Sequence, residues 1–141
     1  MIRIPVPHPE PDKYTQPYWD GLKVGRLLLP RCRNCGHVQM PMGPCCAECL
    51  AEDFAWEAMS GRGTVWAYVV YHHAFHPAFA DRLPYNVALV ELVEGPRLLS
   101  NVVGIAADAV RTGMQLQAVF EPEGDATLLR FRPAGASEEK P

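Results

Sequence analysis

The chain has 141 residues, 48% of them hydrophobic and 9% aromatic, and its 13 basic and 16 acidic side chains leave a formal net charge of -3. That length suits one compact unit or two very small ones sharing a core, and the composition excludes an intrinsically disordered chain. The charge weighs against a partner held mainly through phosphates, because counterion release from a basic surface supplies most of that affinity. No run approaches the roughly 18 apolar residues of a membrane span, and Met1 to Pro7 lacks the apolar stretch of a secretory signal, so the default location is the cytoplasm.

Residues 1–26 read as an extended arm followed by a short helix. Pro5, Pro7, Pro9 and Pro11 alternate, and proline both fixes φ and removes a donor, so this stretch is no helix. Thr15 is placed to cap a helix with Pro17 in its first turn, and Gly25 is a natural stop. Tyr18, Trp19 and Leu22 then share one face. That face either packs on the same chain or anchors on a partner.

Residues 27–60 hold the five cysteines, all between positions 32 and 49. Short strands are expected at Leu27–Leu29 and Phe54–Trp56, on either side of them. A secreted disulfide scaffold would scatter its cysteines to close long loops, whereas clustering points to a metal. Cys32-Arg33-Asn34-Cys35 and Cys46-Ala47-Glu48-Cys49 are two Cys-x2-Cys knuckles. Facing each other, they supply the tetrahedral all-sulfur shell that zinc accepts, with Gly36 letting the backbone turn behind the first pair. Cys45 next to Cys46 leaves a second choice of ligand open; otherwise it is a small buried or free thiol. Iron in the same four ligands would make an electron carrier. Leu50, where such carriers usually have glycine, speaks against it. A saturated shell leaves no position for water or substrate, so the expected metal is structural.

Residues 61–133 change period. Gly63–His72, Tyr85–Val93, Arg97–Val103, Met114–Glu121 and Thr127–Arg132 read as five strands rich in β-branched and aromatic residues, with Glu94-Gly95 as a turn. Five short strands suit a small barrel, which also removes exposed edges. The fold class is thus mainly β: an N-terminal helix, a rubredoxin-like ribbon and a five-stranded OB-type barrel. The connector from Ala74 to Pro84 carries Phe75 and Phe79, which either fold onto the barrel or meet a partner. Residues 134–141 have no apolar period and are expected to be disordered.

Independent catalysis finds little support. His72, His73 and His76 lack a nucleophile in a recognisable context, and Glu91 and Glu94 fall on opposite faces of an ideal strand. Neither a Walker loop nor a dinucleotide fingerprint is present.

The order Tyr18-Trp19-Asp20-Gly21-Leu22, Gly25-Arg26-Leu27 and Arg31-Cys32-Arg33-Asn34-Cys35-Gly36 resembles the acyl-CoA-associated OB-fold proteins with a rubredoxin-like zinc ribbon. Cys46-Ala47-Glu48-Cys49, Ser60-Gly61-Arg62-Gly63-Thr64 and Glu94-Gly95-Pro96 extend the likeness over residues 14–133. Ala47, where the family commonly has proline, and Cys45, where it commonly has arginine or phenylalanine, depart from it. The resemblance implies a non-catalytic scaffold, with structural zinc, beside a thiolase or thiolase-like aldolase whose own cysteine does the chemistry. It also implies a share in the channel for CoA or acyl-CoA. Cations for the CoA phosphates would come from Lys23, Arg26, Arg31, Arg33 and Arg62, and contacts to the enzyme from Tyr18, Trp19, Leu22, Phe75 and Phe79. The competing reading is a single-stranded nucleic-acid binder using Trp66, Tyr68 and Tyr71 as a stacking platform, although these aromatics also suit a barrel core.

Overall fold

A computed structural model of the chain describes residues 6–135. Helix α1 runs over Gln16–Lys23, and Gly25 ends it at φ 76° as expected. Its entry differs from the expectation. Thr15 makes no side-chain cap, because its hydroxyl accepts the Asp12 N–H at 3.0 Å. Asp12 instead takes the N–H groups of Tyr14 and Thr15 at 2.9 and 3.0 Å.

Tyr18 and Leu22 are buried by the chain itself, with Leu22 among the most enclosed side chains. They are therefore core residues of this chain, and Trp19 is half-buried beside them. Gly21 permits this close packing, since a Cβ there would lie 2.9 Å from both the Arg26 carbonyl oxygen and Leu28 Cγ. Burial also pushes the Tyr18 phenol up to about 12, against a smaller opposing pull from Arg130. A raised folded-state pKa gives stability that is fully present below about pH 10 and lost as pH rises through 12. Alkaline melting should therefore show a loss of roughly 2–3 kcal/mol that Tyr18→Phe abolishes.

Strands β1 (Leu28–Cys32) and β2 (Phe54–Ala58) pair antiparallel, Cys32 opposite Phe54, and the metal loops run between them. Beyond them lie β3 (Arg62–Tyr71), β4 (Tyr85–Leu92), β5 (Arg97–Ser100), β6 (Gln115–Glu123) and β7 (Ala126–Pro133), in the order β5-β4-β3-β6-β7. The third barrel strand stops at Ser100 and not at Val103. The reason is closure of the curled sheet: Asn101 to Val103 swing across to β7, with Phe131 N–H donating to the Asn101 carbonyl (3.0 Å) and Val103 N–H to the Phe131 carbonyl (2.7 Å). This is the OB-type half-barrel. One continuous core joins α1, the ribbon and the barrel through Leu22, Leu29, Val38, Val90 and Phe131. Ala134 still donates to Gln115 at 2.8 Å; the rest of the tail expected to be disordered, beyond Gly135, lies outside the described residues, as does the arm before Val6.

Two distant stretches meet where ribbon passes into barrel. Glu94 accepts the Ser60 N–H at 2.7 Å and Val93 N–H donates to the Arg62 carbonyl at 3.0 Å. Gly63 is needed because a Cβ there would come within 2.7 Å of Val90 Cγ1 and 2.9 Å of the Glu91 carbonyl oxygen. Glu91 is paired with Arg97 at 3.1 Å, so Glu91 and Glu94 serve separate structural contacts.

A bulge decides the faces of β3. The register on β4 slips between Val65 and Ala67, leaving Trp66 as the extra residue. One extra residue reverses the alternation that follows it. Val65 faces the core, yet Tyr68 and Val70 are the residues packed on it further along, while Val69 is half exposed.

Candidate metal centre and neighbouring clefts

The two knuckles share one backbone form. Gly36 N–H donates to the Cys32 carbonyl and Leu50 N–H to the Cys46 carbonyl, each at 2.9 Å. Gly36 and Leu50 occupy the same place in the turn and both have positive φ, 82° and 68°. Glycine adopts that conformation freely, and leucine does so at a cost of about 1–2 kcal/mol. Leu50 is also 71% exposed, so little packing offsets the strain. Leu50→Gly should accordingly raise stability by roughly 0.5–1 kcal/mol, read as a higher Tm at unchanged zinc content.

These turns gather Cys32, Cys35, Cys46 and Cys49, with their sulfurs all within 4.8 Å of one another. Cys32 and Cys49 Sγ lie 3.5 Å apart, and Cys35 and Cys46 Sγ 3.6 Å. A tetrahedron of sulfurs at about 2.3 Å from zinc has edges of roughly 3.8 Å, so the set fits that ion. Cys45 is not in the cluster; Cys46 is the neighbour whose sulfur joins the other three. Its carbonyl accepts from the buried Gln39 side chain at 3.2 Å, and Gln39 Oε1 accepts the Ala47 N–H at 2.9 Å. Gln39 thus braces the second knuckle from the strand side, a role with no signal in its spacing.

Donors are aimed at two of the sulfurs. Asn34 Nδ2 points at Cys49 Sγ at 3.4 Å and the Glu48 N–H at Cys46 Sγ at 3.3 Å. The Asn34 amide, followed by the Ala51 N–H, holds the Cys49 thiol down at about 6. Four thiolates around one point, with no open position, give a centre that folds the loops and does no chemistry on a substrate.

The five candidate CoA cations differ in their surroundings. Arg31 binds Glu57 at 2.9 Å and the Gly36 carbonyl at 2.7 Å, and Arg33 pairs with Asp53 at 3.4 Å. Lys23, Arg26 and Arg62 are exposed. Lys23 lines a cleft of 410 Å³ with Trp19 and His8, where the proline arm crosses α1. Arg26 lines another, of 280 Å³, with Met59 and Gln117.

A larger cleft of 650 Å³ escaped sequence reasoning because its walls come from four separate segments. Phe79, Tyr85 and Ile105 line it beside Arg82, bound to Glu123 at 3.2 Å, and Arg130, 3.6 Å from Glu121. Burial lowers the Arg130 pKa, and Glu121 and Glu123 oppose that shift. Phe79 stacks on Tyr85 at 6.0 Å, so this part of the connector folds onto the barrel, whereas Phe75 stays 76% exposed.

The three aromatics of the nucleic-acid reading do not form one platform. Tyr68 packs on the core, and the Arg97 guanidinium covers the Trp66 ring at 4.1 Å. Trp66 is half exposed, so it is no core residue either: it follows the buried Val65 and therefore falls on the opposite side of β3.

A four-thiolate ribbon joined to an OB half-barrel defines the class. Residues 19–55 match the family described as "ChsH2, rubredoxin-like zinc ribbon domain" and residues 56–121 "ChsH2, C-terminal OB-fold domain". The chain belongs to this family. It is 41% identical over 134 residues to the "Probable enoyl-CoA hydratase alpha subunit" of Thermomonospora curvata, covering 94% of this chain and 41% of that one. A "DUF35 domain-containing scaffold protein" of Methanocaldococcus jannaschii is 34% identical, with 85% of this chain and 88% of that one covered. The chain thus spans about two fifths of the hydratase subunit and most of the scaffold protein. Among solved structures, one titled "Ltp2-ChsH2(DUF35) aldolase" superposes with a TM-score of 0.81 at 40% identity, covering 90% of this chain and 99% of that one. No helix among the described residues is long and apolar enough to cross a membrane.

Proposed function

We propose that this chain is a non-catalytic accessory subunit of a thiolase-like enzyme that makes or breaks a carbon–carbon bond in an acyl-CoA, and that it helps to form the CoA channel. The observation that carries the reading is the pairing of a four-thiolate site with the 40% identity to a chain of the "Ltp2-ChsH2(DUF35) aldolase". The ribbon orders its own loops and leaves the reaction to the partner.

Lys23, Arg26 and Arg62 remain available for CoA phosphates, whereas Arg31 and Arg33 are engaged with Glu57 and Asp53. The test is co-expression with a thiolase-like chain of the same organism. The two should co-purify and the pair should turn over an acyl-CoA thioester that this chain alone leaves untouched. Turnover by the isolated chain, or failure to associate with any thiolase-like subunit, would overturn the proposal.

A further inference from the structure

The solvent side of an antiparallel sheet is normally polar. Here the outer side of β3, β4 and β5 is apolar. Register settles which residues share it, because opposed residues in an antiparallel pair point the same way. Val69 faces Val87, Tyr71 faces Tyr85, Ala67 faces Leu89, and Leu89 faces Leu99. The alternation of buried and half-buried residues along β4 puts Asn86, Ala88, Val90 and Leu92 on the core side, so these partners lie on the other. Val69 is 50% and Leu99 71% exposed, Trp66 joins at the bulge, and Phe75 continues the surface with its ring 5.9 Å from Tyr71.

The charges on this face identify its occupant. At its centre the charged side chains, Glu91 and Arg97, neutralise each other at 3.1 Å, and Arg97 also spends its guanidinium on Trp66; the exposed Arg62 lies on the same side, at the start of β3. An uncharged apolar surface could cover the centre of the face without stranding a charge, with Arg62 left at the rim, which is the make-up of a lasting subunit interface. Resting on the accessory-subunit reading, we infer that the outer face of β3–β4–β5, centred on Trp66, Val69 and Leu99, docks an uncharged, apolar surface of the thiolase-like subunit.

The probe is the purified thiolase-like chain, titrated with wild type, Leu99→Asp, Val69→Asp and, as a control away from the face, Val24→Asp. Leu99→Thr, which keeps strand propensity, guards against misfolding, and each variant is matched for zinc content and Tm. Leu99→Asp and Val69→Asp should each weaken binding by roughly 30-fold or more, Leu99→Thr by less, and Val24→Asp not at all. If wild type binds and all four variants bind equally well, the face is wrong while the accessory-subunit reading stands. If wild type binds no thiolase-like chain, both fail. If Leu99→Asp instead splits a dimer of this chain, the occupant is a second copy and the inference is overturned.

Discussion

Cys46→Ser should release the metal and melt the ribbon, whereas Cys45→Ser, one residue away, should leave zinc content at one per chain. Cys46 is fully buried within the sulfur cluster and Cys45 lies outside it. Structural zinc supplies about 10–16 kcal/mol of folding free energy in small zinc-bound units. Loss of one thiolate is expected to cost on the order of 4 kcal/mol, a fall in Tm of roughly 10–20 °C. The consequence should spread, because Leu29 and Val38 of the ribbon belong to the same core as the barrel. Protons compete with the metal for thiolates, so the stabilisation is present at neutral pH and lost as pH falls. Metal analysis beside thermal melts of the two variants checks both halves. Zinc retained by Cys46→Ser and lost by Cys45→Ser would reverse the ligand assignment.

The second large effect concerns barrel closure. Asn86 is a buried side chain whose amide donates to the carbonyls of Val102 (3.0 Å) and Ala107 (3.2 Å) and whose oxygen accepts the Val102 N–H at 2.7 Å. Asn101 returns a bond to the Asn86 carbonyl. These bonds hold the segment that crosses from β5 to β7. Asn86→Ala would leave the Val102 N–H and two carbonyls without protein partners, each costing about 1–3 kcal/mol where buried. A loss of about 3 kcal/mol is expected, with faster amide exchange at Val103 and Phe131 than in β3. Unchanged protection at those two amides would show that closure rests on the backbone alone.

Much of this was legible in the residues. Runs rich in β-branched and aromatic residues located the five barrel strands, and the apolar triplets flanking the cysteine pairs the two ribbon strands, to within a few positions; Pro17 with Gly25 bracketed the helix. The site was legible too, because two Cys-x2-Cys spacings are local: each forces two sulfurs toward one point whatever the rest of the chain does. Other features were set by non-local packing. Tyr18 and Leu22 have the apolar periodicity of a docking face, and periodicity does not say what covers that face. The five cations are near one another in sequence or signature, yet Arg31 and Arg33 found carboxylates of β2 and of the segment before it.

The amino-acid sequence by itself determined which four cysteines gather, the strand and helix segments and the family, since each depends on residues close together or on their order. Only the tertiary structure decided which ligand neighbour is idle, where the sheet closes, and which side of β3 meets solvent. One looped-out residue at Trp66 carries Val69 from the core side to the outer side, and that parity comes from pairing with a strand some twenty residues away.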